Sequence, residues 1–294
     1  MSKPVLFTGA GVALVTPMDK EGCINYEKYR ELVDFQIQRG TDAIISVGTT
    51  GEAPTLEDDE HLHAFEVAIE QTNGRVPMIA GTGSNNTDHC IYMSREAKAM
   101  GADGLLLVTP YYNKTSQRGL IAHYTKIAAS VDLPIILYNV PSRTGVNLQP
   151  KTVAELAKIP NIVGLKQANG NMSETAEIAA LCDLPLYSGN DDQIVPILAL
   201  GGKGVISVLS NVLPQETHDI CKAWFDGNVK QSLDLQLQYL ELANALFMDV
   251  NPIPVKEAMN QMGMNVGDCR LPLYAMSDTM KQTMTDILKR YQLI

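Results

Sequence analysis

Long apolar runs are missing from this 294-residue chain: nothing approaches the roughly 18 consecutive apolar residues of a membrane span, so no membrane insertion is expected. Cysteine is sparse, with five residues at 23, 90, 182, 221 and 269 and no C-x-x-C pair. An odd, widely spaced set argues against a disulfide framework and a zinc site, and reads as structural thiols in a reducing cytoplasm. Positive charge is in deficit, 23 Lys and Arg against 33 Asp and Glu, for a formal net charge of −10. Such a surface repels phosphate backbones, so nucleic-acid binding is not expected. Blocks of like charge and low-complexity tracts are absent, and the whole chain reads as folded. Residues 1–7 carry one Lys and no apolar stretch, unlike a secretory signal. The histidines, at 61, 63, 89, 123 and 218, show no H-E-x-x-H spacing, and neither a G-x-S-x-G elbow nor a Walker sequence occurs. Gly81-Thr-Gly-Ser-Asn-Asn86 starts a dinucleotide fingerprint but lacks its last glycine. No metal and no cofactor are expected.

What is present is an alternation. Eight short apolar, β-branched runs, Gly11–Thr16, Ala43–Val47, Val76–Gly81, Gly104–Val108, Pro134–Val140, Ile162–Ala168, Leu184–Gly189 and Gly204–Leu209, are separated by stretches of helical period. Most are continuously apolar, as strands buried on both faces are in a parallel sheet covered by helices. In residues 25–39, Tyr26, Tyr29, Val33 and Ile37 fall on one helix face. Thr55 before Glu57, Asp58 and Asp59 suggests a hydroxyl cap with acids at the helix N-terminus, and Ser173 with Glu174 does the same. Gly101 to Gly104 and Gly201 to Gly204 fall where a helix hands over to a strand. Eight such units point to a closed (β/α)₈ barrel over residues 1–226, with a doubly wound open sheet as the alternative. Beyond it the strand signal stops. Val229, Leu233, Leu237, Leu240 and Phe247 run at helical spacing, and residues 252–262 and 277–291 read as two further helices, giving an all-α domain over 227–294.

Barrel enzymes place their chemistry where strands end. The second run ends in Gly48-Thr49-Thr50-Gly51-Glu52, whose exposed N–H groups and two hydroxyls suit a carboxylate, although an ordinary turn reads the same way. The fourth ends in Tyr111-Tyr112, more often a packing pair than a proton relay. The sixth sets Lys166 inside an apolar strand, where desolvation lowers an amine's pKa and frees it as a nucleophile; pairing with an acid at the strand mouth is the plainer alternative. Tyr138 and Lys166 are each the fifth residue of consecutive runs, so phenol and amine can meet at the barrel mouth. Arg143, in the loop after Tyr138, could hold a carboxylate bidentately or simply face solvent.

Together these motifs resemble the dihydrodipicolinate synthase family of the class I pyruvate aldolase superfamily. The resemblance runs from Gly11-Val-Ala-Leu-Val-Thr-Pro17 through Val47-Gly-Thr-Thr-Gly-Glu52, Thr109-Pro-Tyr-Tyr-Asn113, Tyr138-Asn-Val-Pro-Ser-Arg-Thr-Gly145, Gly164-Leu-Lys166 and Gly204-Val-Ile-Ser207 to Asn251-Pro-Ile-Pro-Val-Lys256 and Arg270-Leu-Pro272. It implies that Lys166 forms a Schiff base with pyruvate, that Tyr138, Thr49 and Tyr112 relay protons, and that Tyr112 or Tyr111 comes from an adjacent subunit of a homotetramer. It implies further that Thr49 and Thr50 hold the pyruvate carboxylate and that Arg143 meets the carboxylate of L-aspartate-4-semialdehyde. Gly189 and Ile206 match positions near the lysine. The implied reaction yields 4-hydroxy-tetrahydrodipicolinate for lysine and diaminopimelate synthesis. The Thr49-Thr50 pair and Arg143 favour this over the N-acetylneuraminate lyase pattern. That lyase, a 2-keto-3-deoxy sugar acid aldolase and a non-catalytic keto-acid sensor remain the alternatives. Asn85, His61 and Tyr111 match a lysine-effector pocket at a dimer interface. There His89 replaces a glutamate of sensitive enzymes, and Asp58 and Ala53 replace His and Ser, so weak or absent lysine inhibition is expected.

Overall fold

The eight apolar runs become eight strands because both faces of each find apolar partners. In the computed structural model, which describes residues 3–294, they are β1 (Gly9–Ala13), β2 (Ala43–Ser46), β3 (Met78–Gly81), β4 (Gly104–Val108), β5 (Ile135–Asn139), β6 (Ile162–Gln167), β7 (Leu186–Ser188) and β8 (Gly204–Ser207). They pair in parallel in chain order, and β1 also pairs with β8, so the sheet closes into a barrel and the open-sheet alternative falls. Several strands are shorter than their apolar runs. β2, for instance, stops where Val47 turns to φ +50° and leaves the ladder.

Inward positions carry Ala13, Ile45, Ile79, Leu106, Ile136 and Ile206, while Val12, Ile44, Leu105, Leu137 and Leu165 pack outward against the helices. At the N-terminal end Phe7 stacks on Tyr187 with ring centroids 4.5 Å apart, and the Tyr187 hydroxyl donates to Phe7 O at 2.6 Å. That end is plugged, which leaves the strands' C-terminal ends as the open mouth.

Two helix caps differ from expectation. The helix Asp58–Thr72 is capped by Glu57 in a reciprocal box with Glu60, and Thr55 lies in the preceding 3₁₀ turn. Asn171, not Ser173, caps Met172–Leu181 by accepting from Ser173 N and Glu174 N, since an Asx side chain reaches both free amides. In Val229–Gln238 the apolar stripe Val229, Leu233 and Leu237 faces solvent, and Ser232 and Gln236 are the buried pair. Their side chains are needed inside: Ser232 Oγ donates to Ile220 O at 2.7 Å, and Gln236 bridges Val195 N and Asp192 O at 2.6 Å each. Gly101 at φ +101° and Gly201 at φ +87° end helices ahead of β4 and β8, as expected. The C-terminal helices Leu240–Ala245, Ile253–Gln261 and Asp278–Arg290 share one apolar cluster with the barrel helices.

At the plugged end, Asp42 Oδ2 accepts from Ala10 N at 2.7 Å and from His218 Nδ1 at 2.8 Å. The hydrogen bond to Asp42 raises the His218 pKa against partial burial. A raised folded-state pKa contributes stability that is present below the unfolded value of about 6.5 and disappears as pH rises through the folded value. The stability difference between the parent and His218→Gln should therefore be about 1 kcal/mol near pH 6 and shrink above neutrality in chemical denaturation. A gap independent of pH would refute this.

Candidate active site

Four strands and the C-terminal segment converge on the mouth. Tyr138 on β5 and Lys166 on β6 are paired across the ladder. A bulge makes this so. Ile135 pairs with Ile162 but Ile136 with Gly164, so Val163 is an extra residue that shifts the register by one. Beneath the pair, Gly164 keeps the interior open: a Cβ there would lie 3.2 Å from the Tyr187 ring and 3.3 Å from Ile136.

Lys166 is 5% exposed and its Nζ sits 4.3 Å from the Tyr138 ring centroid. Burial lowers the pKa of this amine to about 7, with Asp191 opposing the shift and Arg143 adding to it. An ordinary lysine is neutral in about one molecule in 10³ at pH 7, so this one is far better supplied with nucleophile. Burial raises the Tyr138 pKa, while Arg143 and a hydrogen bond from Thr49 work against the rise. The phenol thus remains a proton donor within reach of a hydroxyl relay.

The Thr49-Thr50 turn follows β2. Of its two glycines Gly51 is required by crowding, since a Cβ there would lie 2.8 Å from Val47 Cα. Thr50 is 3% exposed. Arg143, exposed on the one-turn helix Pro141–Thr144, donates from Nη2 to Asn251 O at 3.0 Å. Ile206 lines the barrel interior with Tyr138. Gly189 donates its N–H to Gln167 O at 2.8 Å, and a Cβ there would lie 2.6 Å from Ala168 Cβ, so the chain passes close behind the lysine strand. A cavity of about 420 Å³ joins Thr49, Tyr138 and Arg143 to Tyr111, His61, His89 and Asp58.

Lys166, Thr50, Gly189, Ile206, Asn85 and Tyr112 are not among the residues that line this cavity. Tyr112 is 92% exposed at φ +67° and touches no part of this mouth, while its neighbour Tyr111 lines the cavity. Asn85 is not among the cavity residues but donates to Tyr111 O at 3.2 Å. Burial lowers the His61 pKa to about 4, and its Nε2 meets Gly81 O at 3.1 Å, so that ring is neutral. His89 Nε2 lies 2.9 Å from Asp58 Oδ1.

Four residues were given no role from the sequence, although Glu52, Asn251 and Lys256 stand in motifs that carry the resemblance. Asp191 is 5% exposed, its Oδ2 accepts from Val208 N at 3.0 Å and Leu209 N at 2.9 Å, and its charge acts on Lys166. Glu52 and Lys256 form a buried pair at 2.9 Å. Asn251 donates from Nδ2 to Thr50 Oγ1 at 3.0 Å. Only the position of Lys256 in Asn251-Pro-Ile-Pro-Val-Lys256, a single charge in an apolar stretch, could have signalled any of them.

A model of the Dihydrodipicolinate synthetase family matches residues 6–291. Over 292 residues the chain is 56% identical to a 4-hydroxy-tetrahydrodipicolinate synthase of Lachnoclostridium phytofermentans, covering 98% of this chain and 99% of that one. The crystal structure of dihydrodipicolinate synthase from Aquifex aeolicus superposes with a TM-score of 0.95 at 42% identity, over 98% of this chain and 99% of that one. A structure described as the first monomeric dihydrodipicolinate synthase variant gives a TM-score of 0.96 at 40% identity, over 98% of each chain.

Proposed function

The chain belongs to the dihydrodipicolinate synthetase family, and from that premise we propose how its residues condense pyruvate with L-aspartate-4-semialdehyde. It is a lyase of lysine and diaminopimelate biosynthesis that forms 4-hydroxy-tetrahydrodipicolinate, which sets aside the sugar-acid aldolases and the non-catalytic sensor. The observation that carries the residue assignment is the buried, pKa-lowered Lys166 amine lying over the Tyr138 ring.

Neutral Lys166 attacks the keto carbon of pyruvate, whose carboxylate lies over the hydroxyls and N–H groups of Thr49 and Thr50. Tyr138 gives the proton with which the carbinolamine oxygen departs as water, leaving the iminium. The Tyr138 phenolate so formed takes a methyl proton to make the enamine, which adds to the aldehyde carbon of the semialdehyde while Arg143 holds that substrate's carboxylate, and Tyr138 returns the proton to the new alkoxide. The semialdehyde's amine then attacks the imine carbon and displaces Lys166. Gly189 and Ile206 shape the space around the imine. Borohydride reduction in the presence of pyruvate, followed by peptide mapping, tests the scheme; an adduct absent from the Lys166 peptide would end it. Arg143→Ala is expected to lose at least about tenfold in kcat/KM for the semialdehyde while borohydride still traps pyruvate, a charge-assisted pair being lost. Loss of trapping instead would place Arg143 elsewhere in the scheme.

Tyr112 is a tyrosine held outward in left-handed backbone, as a residue reaching into a second copy would be. We place it in the partner's relay within a cytoplasmic homotetramer. Residues 1–226 form the catalytic barrel in this reading, and 227–294 form a helical unit that completes its mouth. In the effector pocket, imidazole replaces a carboxylate at position 89, and the nearby Asp58 is already engaged by His89. Free lysine should therefore inhibit weakly or not at all, and an inhibition constant below about 1 mM in steady-state assays would overturn this.

A further inference from the structure

The two carboxylate-binding groups of the mouth, Thr50 and Arg143, lie 93 residues apart in sequence yet share one neighbour. That neighbour is Asn251, which enters from the C-terminal helical region and is 5% exposed. Its side-chain Nδ2 donates to Thr50 Oγ1 at 3.0 Å, and its main-chain carbonyl accepts from Arg143 Nη2 at 3.0 Å. We propose that Asn251 is a positioning residue that sets the direction of the Thr50 hydroxyl, so that its single proton is offered to the carboxylate of pyruvate. This rests on the reading of Thr49 and Thr50 as the pyruvate cradle.

Hydrogen-bond polarity sets the direction of the Thr50 hydroxyl. A hydroxyl has one proton and two lone pairs. The amide N–H occupies a lone pair of Thr50, and among the described residues the Thr50 hydroxyl makes no other side-chain hydrogen bond. What is left for a ligand is a donor, which is what an anion needs. The other end of the amide, Oδ1, is buried without a partner. The donor end alone is engaged, and it is the end that fixes the hydroxyl's direction.

Both sides of this contact are pinned. Lys256, five residues beyond Asn251, donates to Thr16 O at 3.1 Å, to Glu52 Oε1 at 2.9 Å and to Asp268 O at 2.7 Å. Glu52 closes the Gly48-to-Glu52 turn and also accepts from Arg270 N at 2.8 Å. The clamp holds the cradle and the C-terminal segment together, and Asn251 reads across the gap. Because Arg143 bonds the main-chain oxygen, changing the Asn251 side chain leaves that bond's atoms in place. The two substrates should therefore respond differently.

The test compares Asn251→Asp, Asn251→Ala, Thr50→Val and the Asn251→Ala/Thr50→Val double variant. Aspartate is isosteric but accepts, so it draws the Thr50 proton to itself and faces pyruvate with a second anion. Asn251→Asp should raise the pyruvate KM by about tenfold or more, with kcat and the semialdehyde KM within about threefold of the parent. Thr50→Val should raise the pyruvate KM similarly, and the double variant should be no worse than Thr50→Val alone, since both changes remove one interaction. A parental pyruvate KM in Asn251→Asp, with Thr50→Val impaired, overturns the inference and leaves the cradle standing. So does a joint shift of both KM values and kcat, which marks a merely structural role. If Thr50→Val itself keeps a parental pyruvate KM, the cradle reading fails and this inference with it. Should Asn251→Ala not fold, the isosteric Asn251→Asp still decides.

Discussion

Lys166→Met is expected to lose about four orders of magnitude or more in turnover and to yield no borohydride-trapped pyruvate. Methionine fills the same buried channel beside Tyr138, so the loss reports the amine and not a cavity. The parent should show the complementary pH behaviour. With an amine pKa of about 7, the rate of imine formation should rise with pH through neutrality and level off above it, because only the uncharged form attacks. Asp191 acts against the lowering, so neutralising it should move that inflection down in pH. Activity within a hundredfold of the parent in Lys166→Met, or a pyruvate adduct on another residue of that variant, would remove the lysine from its role.

Tyr138→Phe is the second large effect. The ring is 6% exposed and belongs to the inward apolar cluster, so phenylalanine keeps the packing and removes only the hydroxyl that meets Thr49. Positioned proton transfer is worth about 10² to 10⁴-fold, and a turnover loss of that size is expected with thermal stability close to that of the parent. Thr49→Val should lower turnover in the same direction but less, since Thr49 acts on the phenol and not on the substrate carbon. Undiminished turnover in Tyr138→Phe would leave the proton relay without its centre.

The contrast between these two residues and their surroundings shows where sequence reading stops. Tyr138 and Lys166 could be paired in advance because each sits in a short apolar run and the runs are consecutive. Their alignment nevertheless depended on Val163, the extra residue of β6, without which Tyr138 would face Leu165. That bulge has no local signature in Asn161-Ile-Val-Gly-Leu-Lys166. The stripe of Val229, Leu233 and Leu237 marks a helix but not its buried face, because Ser232 and Gln236 satisfy main-chain groups of Ile220, Val195 and Asp192 that spacing cannot reveal. Glu57 replaces Thr55 as the cap because Thr55 itself belongs to the 3₁₀ turn Ala53–Thr55.

By itself, the sequence determined the strand count, the barrel class and the lysine and tyrosine strands, because alternation, apolar runs and helix-ending glycines are properties of neighbouring residues. Only the tertiary structure decided how dry Lys166 is, that Asp191 acts on it, and that Asn251 and Lys256 reach back to Thr50 and Glu52 across more than 200 positions. Desolvation and charge pairing depend on distance in space, and the chain order of these residues carries no record of it.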